Sequence, residues 1–367
     1  MTAAMALEFA QTVRNLPSYP AANGYGQLAP TVKLASNESP YPPIPQVIDA
    51  IGRALPGLNR YPDPTNAALR QALSDRYDVP ASNIAIGNGS CDVLLAAGQA
   101  LLEPGAELVY AWPSFSEYPH LAAASGAREI RVALDGKARH DLDAMLEQVT
   151  VATRLVIVCN PNNPTGTALP LEEIEAFIAK IPDHVCVILD EAYVEFSLTV
   201  GDPFASLPLL AKHPNLVILR TFSKVYGLAG LRVGYGLCGS ESFRIAVDQV
   251  RQPFYLTSAA QAAGAEALKY QDEVERRVVA TVAARTTVTE TLRERGFWVA
   301  ESDANFVWVR LAEEGEDGPV VDALRERGVI VRAGTALGGP GFARVTLGSD
   351  EENARFLAAL AELDGAG

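Results

Sequence analysis

The sequence predicts an α/β protein: a mostly parallel, seven-stranded sheet between helices, with a small α+β domain beside it. Three observations carry this. Seven short apolar runs, at 84–87, 107–111, 129–133, 154–159, 185–190, 215–220 and 233–238, alternate with helix-period segments. The runs are continuous in Val, Ile and Leu, the pattern of strands buried on both faces. After Gly296 the pattern shifts to FWVAESDANFVWVRL, VIVRAG and ARVTLG around one helix at 319–327.

Each segment in turn fits that frame. Residues 1–45 are rich in Pro, Gly, Asn and Tyr and read as an irregular arm, with Pro40, Pro42, Pro43 and Pro45 keeping it extended. A short helix is expected at 46–56, and helix-period segments follow at 91–102, 171–180 and 241–251. The stretch 257–295 has no Pro and one Gly, Gly264, so it reads as one long helix or two abutting ones. There is no internal repeat or low-complexity tract. The expected division is an arm at 1–45 joining the small domain, a large domain at 46–265 and a small C-terminal domain at 266–367.

Composition narrows the function classes. The 367 residues carry 30 Lys+Arg against 44 Asp+Glu, a formal charge of −14. Polyanion partners want a basic face, so nucleic acid and acidic membrane surfaces are not expected. Cys91, Cys159, Cys186 and Cys238 stand alone, without a CxxC pair that would signal zinc or redox chemistry. No uncharged apolar run reaches about 18 residues and the first residues lack a signal-peptide pattern, so a cytoplasmic protein is expected. Gly234-Tyr-Gly236-Leu-Cys-Gly239 fits GxGxxG but lacks the acidic residue about 20 positions on, which argues against a dinucleotide site. His120, His140, His184 and His213 fall outside every motif and read as structural or surface residues.

Chemistry is concentrated at the expected strand ends, where sheets of this class place reactive groups. The 154–159 run leads into Asn160-Pro161-Asn162-Asn163-Pro164-Thr165-Gly166. The 185–190 run ends in Asp190-Glu191-Ala192-Tyr193, and the 215–220 run leads into Thr221-Phe222-Ser223-Lys224, with Arg232 eight residues on. Three successive strands thus deliver an amide, a carboxylate with a phenol, and a lysine to one rim. An acid ending a buried VCVILD run is costly unless it has a partner. Gly87-Asn88-Gly89-Ser90-Cys91 lies between a strand and a helix, where backbone amides can hold a phosphate.

In this order, NPNNPTG, DEAY and TFSKxxGLAGLRxGY resemble the fold-type I, pyridoxal-phosphate-dependent aminotransferases, and the histidinol-phosphate aminotransferase branch in particular. The resemblance runs from KLASNES at 33–39 to RVTLG at 344–348. It implies that Lys224 bears pyridoxal 5'-phosphate and shuttles protons, and that Asp190 pairs with the ring nitrogen. It implies that Asn163 and Tyr193 hydrogen-bond the ring O3′ and that Phe115 stacks on the ring. Gly89, Ser90, Cys91, Ser223 and Arg232 would hold the phosphate, with Tyr61 reaching the phosphate of a neighbouring subunit in a homodimer. Arg344, Arg332, Tyr19 and Asn37 would bind substrate, and the Asn163–Pro164 bond would be cis. The chain departs from the family at Cys91-Asp92, in place of an Asp-Glu pair, at Ala333, in place of Pro, and at Tyr255, in place of Asn, which would reshape the pocket wall. The implied reaction is transamination between L-histidinol phosphate and 2-oxoglutarate. Alternatives are an aromatic-amino-acid aminotransferase, a threonine-phosphate-type decarboxylase and a catalytically silent binding module.

Overall fold

The computed structural model describes residues 7–15, 31–312 and 315–364. Its strands in chain order are β1 (Val32–Lys33), β2 (Ile84–Gly87), β3 (Glu107–Trp112), β4 (Arg128–Ala133), β5 (Thr153–Cys159), β6 (Cys186–Asp190), β7 (Leu216–Thr221), β8 (Gly234–Cys238), β9 (Phe306–Arg310), β10 (Val329–Ile330), β11 (Arg332–Ala333) and β12 (Phe342–Thr346). Every expected strand of the central sheet is present with its ends within one residue of the expectation.

The central sheet has the order β2-β8-β7-β6-β5-β3-β4, and β8 alone runs antiparallel to its neighbours. Alternate side chains serve two cores. Val156, Val158, Val187 and Leu189 join one apolar cluster with Leu73 and Phe177. Leu155, Ile157, Ile188 and Val217 join another with Leu94 and Tyr118. This period of two, with both faces covered, is why the inner strands read as apolar runs, whereas the edge strand β4 keeps Glu129 and Arg131 exposed. Gly234 explains the glycine-rich β8: a Cβ there would fall 2.2 Å from the Ser90 nitrogen. The glycine lets β8 lie against the turn that leaves β2.

The stretch 257–295 forms two helices, Ser258–Ala267 and Gln271–Glu294. The first closes with tight bonds from Lys269 N to Glu266 O (3.1 Å) and from Tyr270 N to Ala267 O (3.3 Å). The second opens with Asp272 and Glu273 in its first turn, where carboxylates favour a helix start.

The arm is not wholly irregular, since Gln11–Asn15 is helical and packs on the helix Tyr118–Ser125. β1 pairs in parallel with β10, some 300 residues away in sequence, as Val32↔Val329 and Lys33↔Ile330. The chain then runs beside β12, with Thr346 N donating to Leu34 O (2.9 Å). β11, β12 and β9 form an antiparallel three-stranded sheet. The arm and this sheet therefore converge on the same end of the central sheet.

Candidate active site

The carboxyl ends of β5, β6 and β7 open into a cavity of about 570 Å³. Asn37, Gly89, Ser90, Cys91, Phe115, Asn163, Asp190, Tyr193, Ser223, Lys224, Arg232, Arg332 and Arg344 all line it. Of the remaining expected site residues, one is described and does not join them. Tyr19 lies outside the described residues. Tyr61 is 81% exposed and stacks on Phe254, ring centroids 4.5 Å apart.

The loop after β5 is held from beneath. Gly166, at φ +75°, donates to Asn162 O (2.7 Å), closing the turn. The Asn162 carboxamide accepts from Ser114 Oγ (2.7 Å) and donates to Pro113 O (3.1 Å). Asn163 is thereby left facing the cavity, where its Oδ1 accepts from Arg344 Nη1 at 2.5 Å. The expected cis bond is misplaced: the cis bonds are Trp112–Pro113 and Asn160–Pro161, and Asn163–Pro164 is trans. The reversal around Asn163 is already made by the Gly166–Asn162 bond. His140, expected outside every motif, contacts this loop, with Nε2 3.1 Å from Asn162 Oδ1. Burial pushes its pKa down to about 4, so the ring is neutral.

Asp190 ends β6 and is 3% exposed. It accepts from Tyr118 Oη (2.9 Å) and from Ala192 N (3.2 Å). Burial nevertheless raises its pKa to about 6. Tyr118 was not foreseen, and its place three residues after Phe115 is no signal by itself. The Tyr193 hydroxyl accepts from Asn37 Nδ2 (2.9 Å), so the arm reaches the rim. Lys224 Nζ is 3.4 Å from Ser36 O and 5.6 Å from the Tyr193 ring centroid. Burial, and after it the Arg344 charge, pull its pKa down to about 8.

Opposite, the helix Ser90–Leu101 points its N-terminus at the cavity. Gly89 has φ +78°, and a Cβ there would fall 2.6 Å from an Arg232 guanidinium nitrogen. Glycine is therefore required for backbone and guanidinium to meet. The Cys91 thiol is pushed up to about 12, by burial first and then by Glu117 and Asp190, so it is a neutral lining group. Phe115 is half-buried and meets Tyr118 edge-on at 5.7 Å.

The small sheet supplies the remaining wall. Arg332 and Arg344 are directly opposite each other on β11 and β12 and share one face. Arg344 also donates to Ala35 O (2.7 Å). Like charges opposite each other are unfavourable, and an anion in the cavity would offset the repulsion. Tyr255 does not line this cavity, contrary to expectation. Its hydroxyl accepts from Asn66 Nδ2 and its carbonyl accepts from Asn88 Nδ2, both at 2.9 Å, so it braces the turn leading to Gly89.

The lining fits a flat aromatic cofactor bearing a phosphate. A helix N-terminus with a glycine that excludes Cβ, two serines and Arg232 can hold the phosphate. A buried acid and an amine of lowered pKa stand on the facing strand ends. Among the described residues no His/Cys/Asp/Glu group is arranged to hold a metal, and no helix is long and apolar enough to cross a membrane.

Comparison with known proteins agrees with this chemistry. The family model for aminotransferase class I and II matches residues 29–360. An aromatic amino acid aminotransferase of Streptomyces avermitilis is 42% identical over 348 residues, 94% of each chain. Histidinol-phosphate aminotransferase 1 of Nitrosococcus oceani is 44% identical over 329 residues, covering 90% of this chain and 88% of the relative. The crystal structure of histidinol-phosphate aminotransferase from Sinorhizobium meliloti in complex with pyridoxal-5'-phosphate superposes with a TM-score of 0.84 at 29% identity, covering 99% of both chains. A cavity built for an anionic aromatic cofactor, in a chain matched to this family almost from end to end, makes the protein a member of the class I and II aminotransferases, a pyridoxal-phosphate-dependent transaminase of fold type I.

Proposed function

We propose that the chain transfers the amino group of L-histidinol phosphate to 2-oxoglutarate, giving imidazole acetol phosphate and glutamate. The observation that carries this reading is the cross-strand pair Arg332 and Arg344 in the cavity wall. Two planar guanidinium groups suit a dianionic phosphate in one half-reaction and the carboxylates of 2-oxoglutarate in the other. The relatives that bear the histidinol-phosphate name support it.

Pyridoxal phosphate, when bound, supplies a ring that draws electrons away from the substrate carbon that loses its proton. The chain does the rest. Lys224 would bear the cofactor and carry the proton, and a pKa lowered from 10.5 to about 8 makes its neutral, proton-accepting form far easier to reach than in an ordinary lysine. Asp190 would keep the ring nitrogen protonated, while Asn163 and Tyr193 would hydrogen-bond the ring oxygen. Phe115 would cover the ring face. Gly89, Ser90, Cys91, Ser223 and Arg232 would hold the phosphate. Arg332, Arg344 and Asn37, with Tyr19 of the arm, would hold the substrate. The exposure of Tyr61 supports a homodimer in which it reaches the neighbour's site.

A second reading, an aromatic-amino-acid aminotransferase, is favoured by the relatives at 42% and 44% identity that carry that name. Steady-state kcat/KM for L-histidinol phosphate against L-phenylalanine separates them. The expected result is a preference for the phosphate. A preference for phenylalanine of about tenfold or more, a size that side-chain discrimination readily supplies, overturns it.

A further inference from the structure

Arg332 and Arg344 are joined by the segment 334–341, which carries one of its side chains into the cavity. Asp317, the first residue of the helix Asp317–Glu326, is fully buried and clamps this segment at both ends. Its carboxylate accepts from Thr335 N (3.0 Å), from Gly341 N (2.9 Å) and from the Thr335 hydroxyl. The segment is also packed without slack. Gly338 has φ +86°, and a Cβ there would lie 2.5 Å from Trp112 Nε1. A Cβ on Gly339 would lie 2.5 Å from the Trp308 ring. Between these contacts Leu337 is turned inward, 4% exposed, packed with Trp308 and Phe342 and lining the cavity.

Among the described lining residues Leu337 is the one aliphatic side chain larger than alanine. The rest of that wall is charged, polar or small, apart from the rings of Phe115 and Tyr193, both of which are proposed to meet the cofactor. An amino donor with an apolar or weakly polar ring needs such a surface, and a rigidly held one discriminates by shape.

We propose that Leu337, presented on the Asp317-clamped segment, is a specificity-determining residue that packs against the ring of the amino donor. This rests on the reading of the protein as a transaminase for ring-bearing donors.

The test uses the reconstituted holoenzyme and measures kcat/KM for L-histidinol phosphate, L-phenylalanine and ring-free L-glutamate in wild type, Leu337→Ala and Leu337→Met. In Leu337→Ala, kcat/KM for the ring donors should fall by about tenfold, while glutamate changes by less than about threefold, and Leu337→Met should recover most of the loss. The cofactor absorbance should stay at its wild-type position. An equal loss for all three donors, or unchanged ring donors, overturns the proposal. A wild type that prefers phenylalanine overturns the histidinol-phosphate reading alone, and Leu337 is then judged on phenylalanine against glutamate.

Discussion

The rim of the central sheet and the small β9–β12–β11 sheet face one cavity but are built on different terms. At the rim, parallel register aligns the strand ends, with Cys159 beside Asp190 and Asp190 beside Leu219. Polar groups there arrive with partners: Asp190 with Tyr118 and Ala192, Asn162 with Ser114 and Pro113. The small sheet instead brings two arginines face to face. The first region is organised before any ligand enters, which suits a cofactor that stays. The second sets two guanidinium groups on one face, with Arg344 held by Asn163 Oδ1 and Ala35 O, an arrangement that suits an anionic ligand.

The largest expected effect falls on the rim. Lys224→Ala should lower kcat by about 10⁴-fold, the upper end of what a positioned proton carrier contributes. Far-UV circular dichroism of the variant should match wild type. Residual turnover within tenfold of wild type would place the proton carrier elsewhere.

A second prediction sharpens the claim that the rim is organised at a cost. In the cofactor-free protein the Lys224 pKa is about 8, against an ordinary 10.5. Between those values the unfolded chain binds more protons than the native one. The penalty is therefore full below pH 8 and fades as pH rises toward 10.5. Lys224→Met should make the cofactor-free protein more stable than wild type by about 3 kcal/mol at pH 7, with the difference shrinking by pH 10. Denaturant midpoints across that range measure it. A difference independent of pH would assign the effect to packing.

The smallest effect probes the Arg332–Arg344 wall, proposed to hold substrate. Arg332→Ala should reduce kcat/KM for L-histidinol phosphate by about tenfold and for L-phenylalanine by less, because a second guanidinium matters most to a dianion. Equal losses for the two donors would mean that Arg332 does not single out the phosphate and would weaken the contrast between the two sheets.

Much of the rim was legible because its signals are local. A run such as LVIVC ends where NPNNPTG begins, and VILD ends in an acid that burial alone would not tolerate. The strand–helix turn at Gly89 and the loop after β7 that carries Lys224 follow the same logic. The network beneath was not legible. His140 and Tyr118 carry no motif, and their partners Asn162 and Asp190 lie 22 and 72 residues on. Tyr255 was expected in the pocket wall and instead braces Asn88, since a side chain's direction depends on which neighbours surround it. The cis bond of the motif precedes Pro161 and not Pro164, and sequence does not distinguish the two because every X–Pro bond can take either isomer.

The sequence by itself determined the α/β order, the strand ends and the chemistry they deliver, since strand period and turn residues act over a few positions. Tertiary structure decided how the two ends of the chain meet. Asn37 N donates to Thr346 Oγ1 at 2.8 Å across 309 positions, and Asn37 Nδ2 reaches Tyr193 across 156. It also decided that Arg332 and Arg344 face each other, that Asp317 clamps the segment between them, and that Leu337 points inward. Such contacts depend on packing two sheets at a fixed distance, which no short stretch of sequence specifies.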